Sequence, residues 1–270
     1  MLNKNKYKPN KILVFDTETT GVFGAEIIEL AFCIYDLRYN KVIETFDTFV
    51  KVKDNLDTLM TEIKKPDGTF KSISELTHIT NEMSQSGITQ EELANIVQKK
   101  FFDNDTMLVG YNLNFDLNRV KETLERFGKV FNIKNIDCLD LLTVYKDRAM
   151  YDRETDSDGR PLGHRLDSAV KHYKVKVKNT HRAIDDVLAT LEVYKEMEKE
   201  EKISPLYKNS FGFNAKFSDS LERLNHIEYY PQSYSKKSVY YQLLKDFKEY
   251  MASKDKKFLE PKFKEGIYYF

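Results

Sequence analysis

Short apolar runs and helix-like segments alternate along the first 200 residues of the chain. The run from Ile12 to Phe15 is continuously apolar, which is typical of a strand covered on both faces. Residues 26–36 and 41–50 also have the composition of strands, and Arg38-Tyr39-Asn40 predicts a hairpin turn between them. Strands in succession, followed by strands that alternate with helices, predict an α/β domain with a mixed central sheet flanked by helices.

The remaining elements are predicted from apolar spacing and from residues that begin or end helices. Two more strands are expected, at 106–111 and 133–138. Helices are expected at 72–83, 89–101 and 115–127, from Leu139 onward, and at 165–172 and 183–199. In the last helix the apolar side chains that recur at helical spacing predict the buried face, and they are Ile184, Val187, Leu188 and Leu191.

The composition changes near residue 200, where we expect a domain boundary. A charge-dense stretch there leads to Ser204-Pro205, and the last 70 residues hold 13 Lys or Arg, 9 Asp or Glu and 16 of the 35 aromatic residues. We therefore expect a globular domain at 1–200 and an aromatic-rich C-terminal extension at 201–270. Segments 218–228 and 236–251 have helix-compatible spacing, which predicts a helical extension.

Charge and cysteine usage exclude several classes of protein. The chain has 43 basic and 43 acidic side chains, so it lacks the basic excess of histone-like proteins. Its hydrophobic fraction of 41% excludes an acidic disordered tail. Cys33 and Cys138 lie in apolar stretches, which predicts buried thiols in a reducing compartment. The sequence shows no signal peptide or membrane span, and we expect a soluble, cytoplasmic protein.

Two carboxylates follow the first apolar run. Asp16 ends that run and Glu18 lies two residues on, so in an extended chain both side chains point to the same side. Two such charges are costly unless a positive charge lies between them, and hard oxygen ligands suit Mg²⁺ or Mn²⁺. The alternative is that both carboxylates face water beside a turn.

Two further acidic positions occur where predicted helices begin. Asp116 lies at the start of the helix that follows strand 106–111, where it either binds a ligand or only favours the helix dipole. The segment from His181 to Asp186 opens the last helix, and its histidine and aspartate can supply a base and a ligand at one site. A solvent-exposed histidine is the alternative.

Three segments taken together resemble the motifs of a known family. They are Phe15-Asp16-Thr17-Glu18-Thr19-Thr20-Gly21, Tyr111-Asn112-Leu113-Asn114-Phe115-Asp116 and His181-x4-Asp186. In this order they are similar to the motifs of the DEDDh group of 3′→5′ exonucleases, which includes the epsilon proofreading subunit of bacterial DNA polymerase III and ribonuclease T. The segment from Leu76 to Glu82 is similar to the stretch between the first two motifs. The resemblance covers residues 10–198.

The resemblance implies a ribonuclease H-like fold with two divalent metal ions, Mg²⁺ or Mn²⁺. The four residues that hold the ions would be Asp16, Glu18, Asp116 and Asp186. By the same resemblance His181 is the general base that deprotonates the attacking water. The five-residue offset from His181 favours Asp186 over Asp185 as the ligand. Contacts with the terminal nucleotide are expected from Thr17, Glu18, Thr77, Ile79 and Asn112.

The preferred function is hydrolysis of single-stranded 3′ ends to nucleoside 5′-monophosphates, with DNA favoured and a proofreading or repair role. One alternative is an exoribonuclease of the same fold, since recognition of a 2′-hydroxyl depends on local geometry. A second is a non-catalytic module that holds strand ends for a polymerase complex. The extension at 201–270 either packs on the catalytic domain, follows the strand with its lysines and aromatic side chains, or docks on a polymerase or helicase.

Overall fold

The computed structural model describes residues 9–21, 24–131, 136–149, 163–177, 182–203, 207–208, 263–264 and 267–268. Its strands up to residue 140 are β1 (Lys11–Thr19), β2 (Ile27–Asp36), β3 (Lys41–Phe49), β4 (Met60–Lys64), β5 (Phe70–Ser72), β6 (Thr106–Gly110) and β7 (Cys138–Asp140). Its helices are α1 (Ile73–Thr77), α2 (Asn81–Ser86), α3 (Gln90–Lys100), α4 (Leu113–Arg126), α5 (Leu141–Arg148), α6 (Leu166–His172) and α7 (Ala183–Glu200).

A five-stranded sheet in the order β3-β2-β1-β6-β7 forms the centre of the fold. Strand β2 is antiparallel to both β1 and β3, whereas β6 is parallel to β1 and β7 is parallel to β6. The predicted mixed sheet flanked by helices is therefore confirmed, and with it the ribonuclease H-like exonuclease fold. Strand β1 lies in the middle of the sheet, so the residues at its end reach elements on both faces.

Alternate residues of β1 enter two different hydrophobic clusters. Leu13 and Phe15 pack in a cluster with side chains of α3 and α4. Ile12 and Val14 pack on the opposite face with side chains of α5 and α7. Because side chains alternate along a strand, the next residues, Asp16 and Thr17, are directed to the α7 face and the α4 face respectively.

The buried face of α7 differs at one residue from the pattern that its spacing predicts. Val187 and Leu191 are buried against the sheet, as expected, and Ile184 is partly buried. Leu188 was placed on the same face, but it is 38% exposed. The buried face is instead turned toward Ala189, Thr190 and Val193, which are all buried.

The predicted helix over 72–83 is wrong, because two short helices occupy this range. Helix α1 ends at Thr77 and is followed by His78, whose φ of 59° lies in the left-handed region. Helix α2 begins after Thr80, whose hydroxyl accepts a hydrogen bond from the amide of Met83. The hairpin of β4 and β5 that precedes them was not predicted. Its strands are short and largely exposed, so they lack a regular apolar pattern.

The strand predicted at 133–138 lies mostly before the observed one, β7, and residues 132–135 are outside the described part of the chain. The helix predicted from Leu139 begins at Leu141, because Asp140 caps it by accepting a hydrogen bond from the amide of Leu142. The predicted helices at 89–101, 115–127, 165–172 and 183–199 match α3, α4, α6 and α7 to within two residues.

The segments 218–228 and 236–251 lie outside the described residues, as does most of the expected extension. Both cysteines are buried thiols that form no disulfide, as expected. None of the described helices combines the length and the apolar composition that crossing a membrane requires.

Candidate active site

The end of β1 carries two of the predicted site residues. Asp16 and Glu18 continue the alternation that directs Ile12 and Val14 to the face covered by α7. The chain continues as a strand to Thr19, so neither carboxylate lies in the turn that the solvent-facing alternative requires. Both side chains are partly buried at the carboxyl end of the central strand.

Helix α7 brings a third carboxylate to the same place. Asp186 lies in the first turn of α7, and one oxygen each of Asp16, Glu18 and Asp186 lies within 4.8 Å of the others. More than 160 residues separate the first two from the third in sequence, so packing of α7 on β1 is what assembles the cluster. The neighbouring residue Asp185 is not part of this group.

Asp116 reaches the site from the opposite face of the sheet. Its Oδ1 atom accepts hydrogen bonds from the Thr17 amide at 3.0 Å and from the Thr17 hydroxyl at 2.6 Å. Asp116 is 3% exposed and lies in the first turn of α4. Thr17 stands between Asp16 and Glu18, so these two bonds hold Asp116 beside the other carboxylates. The four acidic residues predicted for the site are therefore brought together.

The electrostatics of the cluster favour protonation. Burial, followed by the charges of Asp116 and Glu18, holds the pKa of Asp16 well above its usual range. Burial, together with the charge of Asp186, raises the pKa of Glu18 to about 8. Burial also raises the pKa of Asp116 to about 7, although the hydrogen bonds from Thr17 oppose this rise. Each shift shows that adding negative charge here is unfavourable without a compensating cation.

The donor set fits divalent cations of the Mg²⁺ and Mn²⁺ class. These hard ions prefer carboxylate oxygens, and three such oxygens lie close enough together to share one ion. Burial is the largest cause of the raised pKa values and repulsion between the carboxylates is the second, and a bound cation offsets both because it stabilises the charged forms.

The family of the chain follows from a match that spans the whole fold described above. A sequence model of exonucleases of the ribonuclease T type matches residues 13–194, which include all four carboxylates and His181. The chain belongs to the DEDD-type 3′→5′ exonuclease family. The fold and the acidic cluster are therefore those expected of a member of this family.

Relatives of this chain occur as parts of much larger polymerases. It is 29% identical over 199 residues to the PolC-type DNA polymerase III of Caldanaerobacter subterraneus subsp. tengcongensis, and 30% identical over 190 residues to that of Clostridium perfringens. The aligned regions cover 72% and 69% of this chain but only 12% and 11% of the polymerases. The chain thus spans about one eighth of the length of these relatives.

Solved structures show the same fold. Exonuclease I of E. coli in complex with a dT13 oligonucleotide superposes with a TM-score of 0.56 at 21% identity, over 70% of this chain and 41% of the other. The cell-death related nuclease CRN-4 superposes with a TM-score of 0.56 at 15% identity, over 72% of this chain and 66% of the other.

The start of α7 is tied to the sheet by an ion pair. His181 lies outside the described residues, whereas Arg182, which follows it, is described. The Arg182 guanidinium donates hydrogen bonds to Glu29 Oε1 at 2.9 and 2.5 Å, and the Ala183 amide donates to Glu29 Oε2 at 3.1 Å. Glu29 lies on β2 directly opposite Glu18 in the strand register.

Thr77 and Ile79, predicted as contacts to the terminal nucleotide, are both buried at the break between α1 and α2. The Thr77 hydroxyl donates a hydrogen bond to the Ile73 carbonyl at 2.9 Å and accepts one from the Ile79 amide at 3.3 Å. Ile79 belongs to a small hydrophobic cluster with Ile28 of β2. The structure thus brings Thr77 and Ile79 beside β2, at Ile28, which directly precedes Glu29 in the chain.

Asn112, the third predicted contact from outside β1, occupies the turn before α4. Its φ of 66° lies in the left-handed region, which asparagine tolerates better than most residues. Its amide donates a hydrogen bond to Asp140 Oδ1 at 2.9 Å, and its own Oδ1 atom is buried with no hydrogen-bond partner among the described residues. Asp140 therefore supports the turn that leads into Asp116.

Sequence reasoning missed Glu29, Arg182 and Asp140. The signal for Glu29 was present, because an acidic residue between the apolar residues Ile28 and Leu30 is costly unless a partner neutralises it. Arg182 and Asp140 gave no such signal, since a charged residue before a helix is commonly a cap or a solvated side chain. Their partners lie on other elements and are found only in the folded chain.

Proposed function

We propose that this chain is a metal-dependent 3′→5′ exonuclease that releases nucleoside 5′-monophosphates from single-stranded 3′ ends, with DNA favoured as substrate. The observation that carries the proposal is the assembly of four carboxylates from three elements at the end of one central strand. Three of them offer oxygens within 4.8 Å of one another, and the fourth is held beside them by Thr17.

In this proposal Asp16, Glu18, Asp116 and Asp186 hold two divalent cations, either Mg²⁺ or Mn²⁺. Such cations, when bound, stabilise negative charge on the phosphate and lower the pKa of a water molecule. The carboxylates would supply the negative charge that balances the ions. Metal binding at neutral pH then displaces protons from the groups whose pKa is raised, Glu18 among them.

His181 completes the proposed mechanism as the general base. It accepts a proton from the attacking water while the water oxygen forms a bond to the phosphorus atom. The bond between phosphorus and the 3′ oxygen of the preceding nucleotide breaks, and that oxygen takes up a proton from solvent. Thr17, Thr77, Ile79 and Asn112 are proposed to contact the terminal nucleotide, and the two buried positions, Thr77 and Ile79, act through the surface that they shape.

Two comparisons support DNA over RNA. The relatives that the chain matches are DNA polymerases, and the dT13 and dA16 oligonucleotides bound to Exonuclease I are DNA strands. Residues 201–270 are proposed to form a separate extension, through which the exonuclease contacts a polymerase or helicase. Their excess of basic over acidic residues and their 16 aromatic residues suit a surface that meets a partner or a strand.

Two 5′-labelled oligonucleotides of equal sequence, one DNA and one RNA, test the proposed activity. Each is incubated with Mg²⁺, with Mn²⁺ and with EDTA, and Asp16→Asn protein serves as the matched inactive control. We expect a ladder that shortens from the 3′ end on DNA with either metal, and nucleoside 5′-monophosphates as the products. A ladder on RNA alone overturns the DNA preference, and binding without any ladder supports the non-catalytic module instead.

A further inference from the structure

Glu29 is a buried carboxylate for which the proposed chemistry has no direct use. It is the third residue of β2, it is 0% exposed, and its neighbours Ile28 and Leu30 are also fully buried. Removing a carboxylate from water costs several kcal/mol unless its partners are well placed. An acidic residue at such a position therefore needs partners that compensate for its burial.

Both oxygens of Glu29 are occupied by one short segment of the chain. Oε1 accepts two hydrogen bonds from the Arg182 guanidinium, at 2.9 and 2.5 Å, and Oε2 accepts one from the Ala183 amide at 3.1 Å. Hydrogen bonds between ionised groups are shorter and stronger than neutral ones, and a carboxylate at a helix N-terminus is favoured by the helix dipole. With both oxygens engaged, Glu29 is a support for other residues and not a metal ligand.

Arg182 is held from two further sides. Its guanidinium lies over the ring of Phe49 at 4.7 Å from the centroid, and it lies 3.9 Å from Asp47. Asp47 and Phe49 both belong to β3, and Glu29 belongs to β2. The contacts of Arg182 with these three residues therefore form a clamp that holds the residue before α7 against two neighbouring strands. Burial, with the charge of Glu29 as the second cause, raises the pKa of Asp47 to about 6.

The clamp links two parts of the candidate metal centre. In the register of β1 and β2, Glu29 is paired with Glu18, whose carboxylate belongs to the acidic cluster. Ala183 is the first residue of α7, and Asp186 of the same cluster follows within one turn. Arg182 is preceded directly by His181 in the chain.

We propose that Glu29 is a positioning residue of the exonuclease. Through Arg182 and the Ala183 amide, it sets the start of α7 against β2, and thereby the distance of Asp186 from Glu18. This inference rests on the proposed function, since it assigns to Glu29 the alignment of the proposed metal ligands. Groups that orient metal ligands through hydrogen bonds typically contribute 10–100-fold to metal affinity or activity, so we expect an effect of about that size.

The Glu29→Gln variant tests the inference because it keeps the side-chain volume and an oxygen acceptor but removes the charge that faces Arg182. Glu44→Gln is the matched control, since Glu44 on β3 forms an ion pair with Lys100 at 2.5 Å at the surface. For each protein, kcat and KM are measured on the labelled DNA, Mn²⁺ affinity is measured by electron paramagnetic resonance, and Tm is measured by circular dichroism.

We expect Glu29→Gln to lower kcat by about 10–100-fold and to weaken Mn²⁺ binding, while KM changes by less than about threefold. The control Glu44→Gln should leave kcat, KM and Mn²⁺ affinity unchanged. A folded Glu29→Gln protein with the kcat and Mn²⁺ affinity of the original overturns the inference. If Glu29→Gln does not fold, Arg182→Gln decides, because Arg182 is 29% exposed and its loss breaks the same pair. Absence of nuclease activity in the unmodified chain contradicts the proposed function alone, since the difference in Mn²⁺ affinity still tests the position of Glu29.

Discussion

The Thr17 hydroxyl donates a 2.6 Å hydrogen bond to Asp116 Oδ1, and the Thr17 amide donates a second at 3.0 Å. The two residues are 99 positions apart, on the central strand and on the helix that covers one of its faces. Thr17 lies between Asp16 and Glu18 in the chain, and its side chain points away from α7. The pair brings a carboxylate from the far side of the sheet to the candidate metal centre.

The Thr17→Val substitution tests this relationship, because valine keeps the shape of threonine but lacks the hydroxyl. A hydrogen bond to a charged group is worth about 1.5–3 kcal/mol, so we expect weaker Mn²⁺ binding and a kcat lower by about tenfold. Mn²⁺ titration and kinetics on labelled DNA measure both. Thr61→Val, which removes a hydroxyl bond to the Lys71 carbonyl on the β4–β5 hairpin, is the control and keeps both values.

Replacing Asp16 should separate activity from stability. Loss of one ligand removes several kcal/mol of charge stabilisation supplied by a cation, so Asp16→Asn should lower kcat by about 10³-fold. In EDTA at pH 8 the same variant should melt at a higher temperature, because burial and the neighbouring carboxylates disfavour the charge of Asp16. Asp36→Asn is the opposite control, since its bonds to Arg38 lower the pKa of Asp36 to about 2 and its loss should lower Tm. A lower Tm for both variants contradicts this account of Asp16.

The metal-free protein should lose stability as pH rises. Burial raises the folded-state pKa of Glu18 from 4.5 to about 8, so its neutral form favours folding at low pH. That contribution is complete below pH 4.5 and is lost as pH rises through about 8. Mg²⁺ or Mn²⁺ binds the charged form, so the rise in Tm on adding metal should be larger at pH 8 than at pH 6.

Thermal melts in EDTA and in Mg²⁺ at the two pH values measure this difference. Glu18→Gln removes the titrating group and should flatten the pH dependence of Tm in EDTA. A metal-induced change in Tm that is equal at both pH values, or zero, would count against a cluster of raised-pKa carboxylates.

His181 should contribute to the rate and not to metal binding. A positioned general base typically accounts for 10²–10⁴-fold in rate, so we expect a loss of about that size in His181→Gln. Mn²⁺ affinity should stay within about threefold, because the oxygen ligands are unchanged. His172→Gln is the control, since His172 lies on α6 with its ring 5.5 Å from that of Tyr145. Rates equal to those of the unmodified chain in His181→Gln would remove it from the mechanism.

The sequence predicted most of the fold because its signals are local. An unbroken apolar run marks β1, and apolar side chains at helical spacing mark α7. The prediction was wrong at His78, where one residue in the left-handed region separates α1 from α2. Apolar spacing continues across that break, so it gave no sign of the change in direction.

The sequence by itself determined that Asp16 and Glu18 lie on one side of a strand, because side chains alternate along an extended chain. It also determined that Asp116 and Asp186 lie in the first turns of helices. Only the tertiary structure decided that Thr17 holds Asp116 and that Glu29 holds the start of α7. These contacts join residues 99 and 154 positions apart, and their geometry depends on how helices on both faces pack against β1 and β2.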